Sequence, residues 1–375
     1  MSTALTPSHS SAPAKPLCVD LDGTLVATDT TVEGLLVGLT LAPWRICALF
    51  AALLGGRPAL KRYIADNTRI DPSDLPYRQE VLDEIGHART AGRPVLLITA
   101  SDQSTADAVG EHLGLFDEAI GTRTDVNLKA GRKAAFLVER YGEGGFDYIG
   151  DTPADLPVRR AAGQALMVAP SKVTQRRAET AVEHTRVLVP RPNKILAAIK
   201  ELRPHQRAKN VLLFVPLYFA HEYGQLDLVL TVLMAFFSFS VAASSIYVLN
   251  DLVDLPSDRQ HRSKRERPLA AGTLSIAEGI ALSVLAFSLS MVFAVAFVNP
   301  AFVFVVLGYV ALTTAYTFGL KQKMILDVLT LASLFTYRVM AGGVAVAIPL
   351  SEWLLAFSIF VFTSLAFVKR YSELI

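Results

Sequence analysis

Four stretches of this 375-residue chain carry side chains whose types and spacing could do chemistry. Cys18-Val-Asp20-Leu-Asp22-Gly-Thr24 ends an apolar run in two carboxylates, and Pro94-Val-Leu-Leu-Ile-Thr99 ends another in a hydroxyl. Phe146-Asp-Tyr-Ile-Gly150 delivers Asp151 and, four residues on, Asp155. An acidic pair at the carboxyl end of a buried strand sits where open α/β sheets place their sites. Any one of Asp22, Asp151 and Asp155 alone would read equally well as turn or helix-cap chemistry. The fourth stretch is the richest: Asn250, Asp251, Asp254 and Asp258, followed by His261, Lys264, Arg265 and Arg267. Asn250, Asp254 and Asp258 are spaced by four, so on a continuing helix they share a face. Several hard oxygen ligands followed by cationic donors describe a site for magnesium-bound diphosphate. A hydrophilic helix end meeting lipid headgroups would explain the basic residues but not the spaced acids.

The elements that must position these groups differ between the two halves. The three apolar runs read as parallel strands buried on both faces. Arg132–Arg140 has helical spacing with Lys133 near its start; Lys129 competes with Lys133 as the nearby cation. Between Thr24 and Val95 lies a long insertion with helical periodicity, and its Trp44–Leu54 segment is almost wholly apolar. That segment is too short to cross a bilayer, which needs about 20 residues, and reads as the packed core of the insertion. Residues 1–15 read as a disordered leader and 171–207 as a basic linker, in which 193–202 could form an amphipathic helix along a membrane surface.

Composition separates the halves further. Only 21 of the 167 residues from Lys209 onward are charged, against 49 of the 208 before them. Two cysteines without CxxC spacing support neither a disulfide framework nor a zinc site, and a net charge of +2 gives no nucleic-acid surface. Uncharged segments at 228–249, 277–298, 301–320, 328–348 and 353–368 predict membrane helices, with a shorter one at 211–220 interrupted by Pro216. Basic residues gather at 259–267, at Lys321 and Lys323, and at Lys369 and Arg370, which the positive-inside rule places in the cytoplasm. An even number of crossings before the first cluster then makes the short segment a sixth span.

The ordered set DLDGT, LLITAS, Lys133 and GDTPAD resembles the haloacid dehalogenase superfamily over residues 16–170, with a helical cap at about 27–93. The resemblance implies a Rossmann-like α/β phosphatase. Asp20 would be nucleophile and magnesium ligand, Asp22 general acid/base, Thr99 and Lys133 the phosphoryl-binding groups, and Asp151 with Asp155 the rest of the metal site.

Asn250-Asp-Leu-Val-Asp-Leu-Pro-Ser-Asp258 with its basic tail resembles the first aspartate-rich motif of the UbiA superfamily of intramembrane prenyltransferases, over residues 208–375. The resemblance implies an all-α transmembrane bundle in the cell (inner) membrane. Magnesium would lie on Asn250, Asp251, Asp254 and Asp258, with diphosphate held by Lys264, Arg265, Arg267 and Lys321. Arg203-Pro-His-Gln, Tyr316 with Asp327, Arg338 with Ala341-Gly-Gly, and Lys369-Arg-Tyr are similar to the decaprenyl-phosphate phosphoribosyltransferase branch. That branch joins polyprenyl phosphate to phosphoribosyl diphosphate. The family bundle has nine helices and this chain is expected to carry six, which leaves a fragment or a partner chain supplying the rest. The partners implied are a polyprenyl lipid, a diphosphate-bearing co-substrate and the membrane, with no nucleic acid. Two other functions fit the same residues: an aromatic or quinone-precursor prenyltransferase, and a membrane-anchored phosphatase above an inactive bundle.

Overall fold

The computed structural model describes residues 14–41, 70–123, 130–320 and 323–374, with scattered positions between them. The leader, most of Trp44–Leu54, Lys129 and Lys321 lie outside the described residues. Two compact units divide the chain: Met1–Lys194 with Pro256–Glu266 and Ala270–Ile276, and Ile195–Leu255 with Arg267–Leu269 and Ala277–Ile375.

In the first unit the order is β1 Leu17–Val19, α1 Thr30–Leu41, α2 Gln79–Thr90, β2 Val95–Asp102, α3 Gln103–Leu113 and β3 Glu118–Thr122. It continues with α4 Gly131–Tyr141, β4 Asp147–Gly150, α5 Leu156–Ala161, β5 Gln164–Val168, α6 Lys172–Ala181 and β6 Thr185–Val189. The six strands form one sheet in the order β3-β2-β1-β4-β5-β6, all pairs parallel. Side chains alternate between its faces, as a period of two requires. Leu17, Val19, Val95 and Leu97 join one core with Val81, Ile85 and Val109, while Cys18, Leu96, Ile98 and Tyr148 join another with Leu137 and Val158. The strand order reverses between β1 and β4, and such a reversal opens a crevice at the carboxyl ends of the strands.

Residues 171–189, the first part of the stretch expected as a linker, extend this fold instead. Ser171 caps α6 by accepting the Thr174 N–H at 3.0 Å, and β6 pairs with β5 from Ala165↔Thr185 onward. Lys172, Arg176 and Arg177 are exposed while Thr174 and Ala178 are buried, so the basic charge is the solvated face of an amphipathic helix.

The second unit begins at α7, Lys194–Glu201, followed by a 3-10 stretch Pro204–Phe214 and α8 Val215–Phe219. Then come α9 Leu226–Val253, α10 Leu255–Gln260 (mostly in the first unit), α11 Ile276–Phe297, α12 Pro300–Phe318, α13 Met324–Ala345 and α14 Glu352–Leu374. Among the described residues five helices are long and apolar enough to cross a membrane: α9, α11, α12, α13 and α14. The sixth expected span, 211–220, is broken between the 3-10 stretch and α8, where Pro204 and Pro216 each remove a backbone donor.

Small residues and hydroxyls let these helices approach one another. Ser238 Oγ donates to the Ser290 carbonyl at 2.9 Å and Ser290 Oγ returns a bond to the Ser238 carbonyl at 2.8 Å, tying α9 to α11. A Cβ on Gly342 would lie 2.0 Å from the Leu213 carbonyl oxygen, so only glycine lets α13 meet the 3-10 stretch. Arg338 of α13 is buried at 4% exposure; its Nε donates to Asn210 Oδ1 at 2.9 Å and its Nη2 to the Tyr309 hydroxyl at 3.1 Å.

Candidate functional site

β1 ends at Val19, so Asp20 emerges at the reversal point of the sheet and Asp151 emerges beside it from β4. Asp20, Asp151 and Asp155 each offer an oxygen within 4.8 Å of the others. Lys133, on the first turn of α4, closes the fourth side: its Nζ lies 2.8 Å from Asp20 Oδ1, 3.1 Å from the Tyr148 hydroxyl and 4.0 Å from Asp155 Oδ1. Thr24 Oγ1 donates to Asp151 at 3.3 Å, and Thr152 donates to Asp155 through both its N–H and its hydroxyl. Gly23 has φ +72°, and a Cβ there would lie 2.2 Å from Asp151 Oδ2, so the loop after Asp22 must be glycine for two reasons.

Asp22 is mounted separately. The Thr30 N–H donates to its Oδ1 at 2.8 Å and the Ser101 hydroxyl donates to its Oδ2. Thr99 is buried in β2, and its hydroxyl accepts the Ser101 N–H at 3.0 Å, which puts it beside the same serine.

Three carboxylates surround one ammonium, and the protonation equilibria show the deficit. Burial, with the charges of Asp155 and Asp22 added, holds Asp20 up at about 6 although Lys133 pulls it down. Burial, then Asp20 and Asp155, push Asp151 up to about 7. Burial also raises Asp22, with Asp29 adding to it. For Lys133 burial opposes the charge, but Asp20, Asp155 and Asp151 outweigh it and its pKa rises. An all-oxygen donor set that is short of positive charge fits a hard divalent cation. No second acidic cluster of this kind occurs among the described residues.

The later aspartate-rich run divides between the two units. In the second unit Asp251 is 5% exposed and is gripped by Arg203 through both oxygens and by Arg267 at 3.1 Å. Arg203 adopts a left-handed φ of +48° and lies over the Tyr247 ring. Glu201 faces the same carboxylate; burial, then the hydrogen bond and charge of Asp251, push it up to about 8. The side-chain oxygen of Asn250 accepts the Thr317 hydroxyl at 2.8 Å, and Asp254 is half-buried at the end of α9. In the first unit Asp258 is buried with Lys264 at 3.4 Å, while Arg265 is exposed. Asp327 joins the Tyr316 hydroxyl at 2.6 Å and Arg370.

Sequence reading did not assign site roles to Ser101, Thr30, Tyr148, Glu201 or Arg203. LLITAS gave a local signal for Ser101 and Arg203-Pro-His-Gln one for Arg203, and Thr30 lies only eight residues from Asp22; Tyr148 and Glu201 carried no such signal.

Residues 210–372 match the UbiA prenyltransferase family. The chain is 39% identical to the "uncharacterized protein y4nM" of Sinorhizobium fredii over 359 residues, covering 96% of this chain and 69% of that one. It is 38% identical to the decaprenyl-phosphate phosphoribosyltransferase of Mycobacterium tuberculosis over 195 residues, 50% of this chain and 63% of that one. The chain thus spans about two thirds or less of these relatives. Among solved structures, a haloacid dehalogenase family hydrolase from Salmonella enterica serovar Typhi aligns with TM-score 0.34 at 15% identity, covering 47% of this chain and 69% of that one.

Proposed function

The chain belongs to the UbiA prenyltransferase family through residues 210–372, and on that premise we propose a two-headed, multi-pass membrane enzyme whose halves perform consecutive steps on one lipid. In the first step the phosphate oxygen of a polyprenyl phosphate attacks the anomeric carbon of phosphoribosyl diphosphate, and inorganic diphosphate leaves. The 38% identity to a decaprenyl-phosphate phosphoribosyltransferase supports this choice of donor and acceptor. Asn250, Asp251 and Asp254 are the residues that would hold magnesium, which would supply charge stabilisation for the departing diphosphate. Arg267 and Lys321 would bind its oxygens. Arg203 and Arg267 neutralise Asp251 until cation and diphosphate arrive.

The second step removes the ribose 5-phosphate. Asp20 attacks phosphorus, and the ester oxygen leaves with a proton from Asp22; water then attacks the aspartyl phosphate, giving up its proton to Asp22, to release inorganic phosphate and restore Asp20. Lys133 and Thr99 hold the phosphoryl oxygens. Asp20, Asp151 and Asp155 would hold magnesium, which would offset the gathered negative charge. The observation that carries this half is the oxygen triad closed by Lys133, with Asp22 mounted beside it.

The phosphatase unit lies in the cytoplasm in this reading, with the membrane half in the cell's inner membrane. The basic residues at 259–267 support that orientation by the positive-inside rule.

Membranes bearing the protein are given polyprenyl phosphate and phosphoribosyl diphosphate labelled in the ribose. The expected product is lipid-linked ribose without its phosphate, lipid-linked ribose phosphate when Asp20→Asn replaces the wild type, and none with Asp251→Asn. No lipid-linked label from any form overturns the transferase assignment.

A further inference from the structure

Arg259 follows directly on Asp258, yet its side chain is engaged entirely within the phosphatase unit. Its Nη2 lies 2.6 Å from Glu33 Oε1, its Nη1 donates to the Asp74 carbonyl at 3.1 Å, and its Nε donates to the Ala270 carbonyl at 3.2 Å. Gln260 adds a bond to Asp74 Oδ1 at 2.7 Å. The ion pair is dry, with the two side chains 8% and 3% exposed. A buried pair of this kind contributes little net stability, but losing one partner strands the other charge, so its geometry is strongly enforced.

What Arg259 enforces is the first turn of α1. Glu33 Oε1 also accepts the Thr28 hydroxyl at 2.7 Å, which closes the 28–33 turn on itself. The same segment is pinned from behind by Gly272, where φ is +68° and a Cβ would lie 2.4 Å from that of Ala27. Inside this turn stands Thr30. Its N–H holds Asp22 Oδ1, and its hydroxyl is 3.0 Å from that of Ser101, which holds the other Asp22 oxygen.

We propose that Arg259 is a positioning residue for the phosphatase: through Glu33 it fixes the turn whose Thr30 aims the Asp22 carboxyl at the leaving-group oxygen. The inference rests on the phosphatase reading above. It makes the segment after the membrane motif an element of the cytoplasmic active site, so a substitution in that loop alters phosphate hydrolysis without touching Asp20, Asp151 or Asp155.

The test uses leaving groups, because a displaced proton donor slows only esters that need the proton. The full-length protein in detergent is assayed with p-nitrophenyl phosphate, whose leaving group departs as a stable anion, and with ribose 5-phosphate, whose alkoxide must be protonated. With Arg259→Ala, first-turnover release of ribose from ribose 5-phosphate, which reads leaving-group departure before the shared hydrolysis of the aspartyl phosphate, is expected to slow about tenfold or more, within the range of a general acid's contribution, while first-turnover release of p-nitrophenol changes less than about threefold. Arg259→Lys recovers part of the loss, and Glu33→Gln reproduces the selectivity should Arg259→Ala fail to fold. Equal loss on both substrates, or no loss on either, in the folded variants overturns the positioning role while leaving the phosphatase standing. Wild-type protein that hydrolyses neither ester, or an Asp20→Asn variant that still hydrolyses both, overturns the phosphatase reading and the inference with it.

Discussion

Lys133 Nζ lies 2.8 Å from Asp20 Oδ1 although 113 positions separate the two residues, and both are almost wholly buried. That pair joins the end of β1 to the start of α4 across the mouth of the sheet, and the same ammonium lies 4.0 Å from Asp155 Oδ1. The chemistry proposed for this unit depends on it.

Replacing Lys133 by Met should therefore do two things. Phosphate release from p-nitrophenyl phosphate falls by about a hundredfold or more, since a charge-assisted contact to the phosphoryl oxygens is lost. Asp20 also loses the neighbour that lowers its pKa, so the acidic limb of the pH–rate profile moves to higher pH. Steady-state kinetics from pH 5 to 8 in saturating magnesium measure both effects.

Without a divalent cation, pH should act on stability in an unusual direction for carboxylates. Asp20 at about 6 and Asp151 at about 7 lie above the ordinary carboxylate value of 3.8, so the folded state binds more protons than the unfolded one between those limits. Their contribution is present below the unfolded pKa and is lost as pH rises through 6 and 7. Melting in EDTA should show this loss, Asp151→Asn should flatten it, and magnesium should restore stability most at the upper end. A melting temperature whose pH dependence is the same in Asp151→Asn as in wild type refutes the coupling.

Gly23→Ala should silence the phosphatase while leaving the sheet intact. The substitution imposes a left-handed φ on a residue with a Cβ, at a cost of about 1–2 kcal/mol, and drives that Cβ onto Asp151. Circular dichroism should remain that of wild type as phosphate release drops at least about tenfold.

In the membrane half, Arg338→Lys should fail to replace the native residue. Asn210 Oδ1, the Leu334 carbonyl and the Tyr309 hydroxyl surround a planar fork, which an ammonium fills at one point only. The variant should lose about 1–3 kcal/mol for each partner left without a donor, seen as a lower melting temperature in detergent. Arg338→Lys melting with wild type would refute the requirement for the fork.

Much of this was legible along the chain because it is local. The short apolar runs around Leu17, Val95 and Tyr148 identify strands buried on both faces. The uncharged stretches identify the five long helices, since no other element satisfies its backbone inside lipid. Asp20 and Asp22, Thr99, Lys133, and Asp151 with Asp155 announce themselves by order and residue type, and the structure brings them to one crevice.

Other features depended on partners far away in sequence. Residues 172–189 looked like a basic linker because the sheet edge that accepts β6 and the face that buries Thr174 and Ala178 are supplied by β5 and its surroundings. The 211–220 segment reads only as a short stretch interrupted by Pro216, and nothing local reveals that Leu213 must pass against Gly342. The aspartate-rich run looked like one continuous ligand set. Chain order does not reveal that Asp251 meets Arg203, 48 positions away, or that Asp258 and Arg259 belong to the other compact unit.

By itself, then, the sequence determined residue chemistry and secondary structure, because charge, polarity and periodicity are properties of neighbouring residues. Which carboxylate faces which cation was decided only by the tertiary structure. Burial and Coulomb energies depend on distance in space, and chain order does not set that distance.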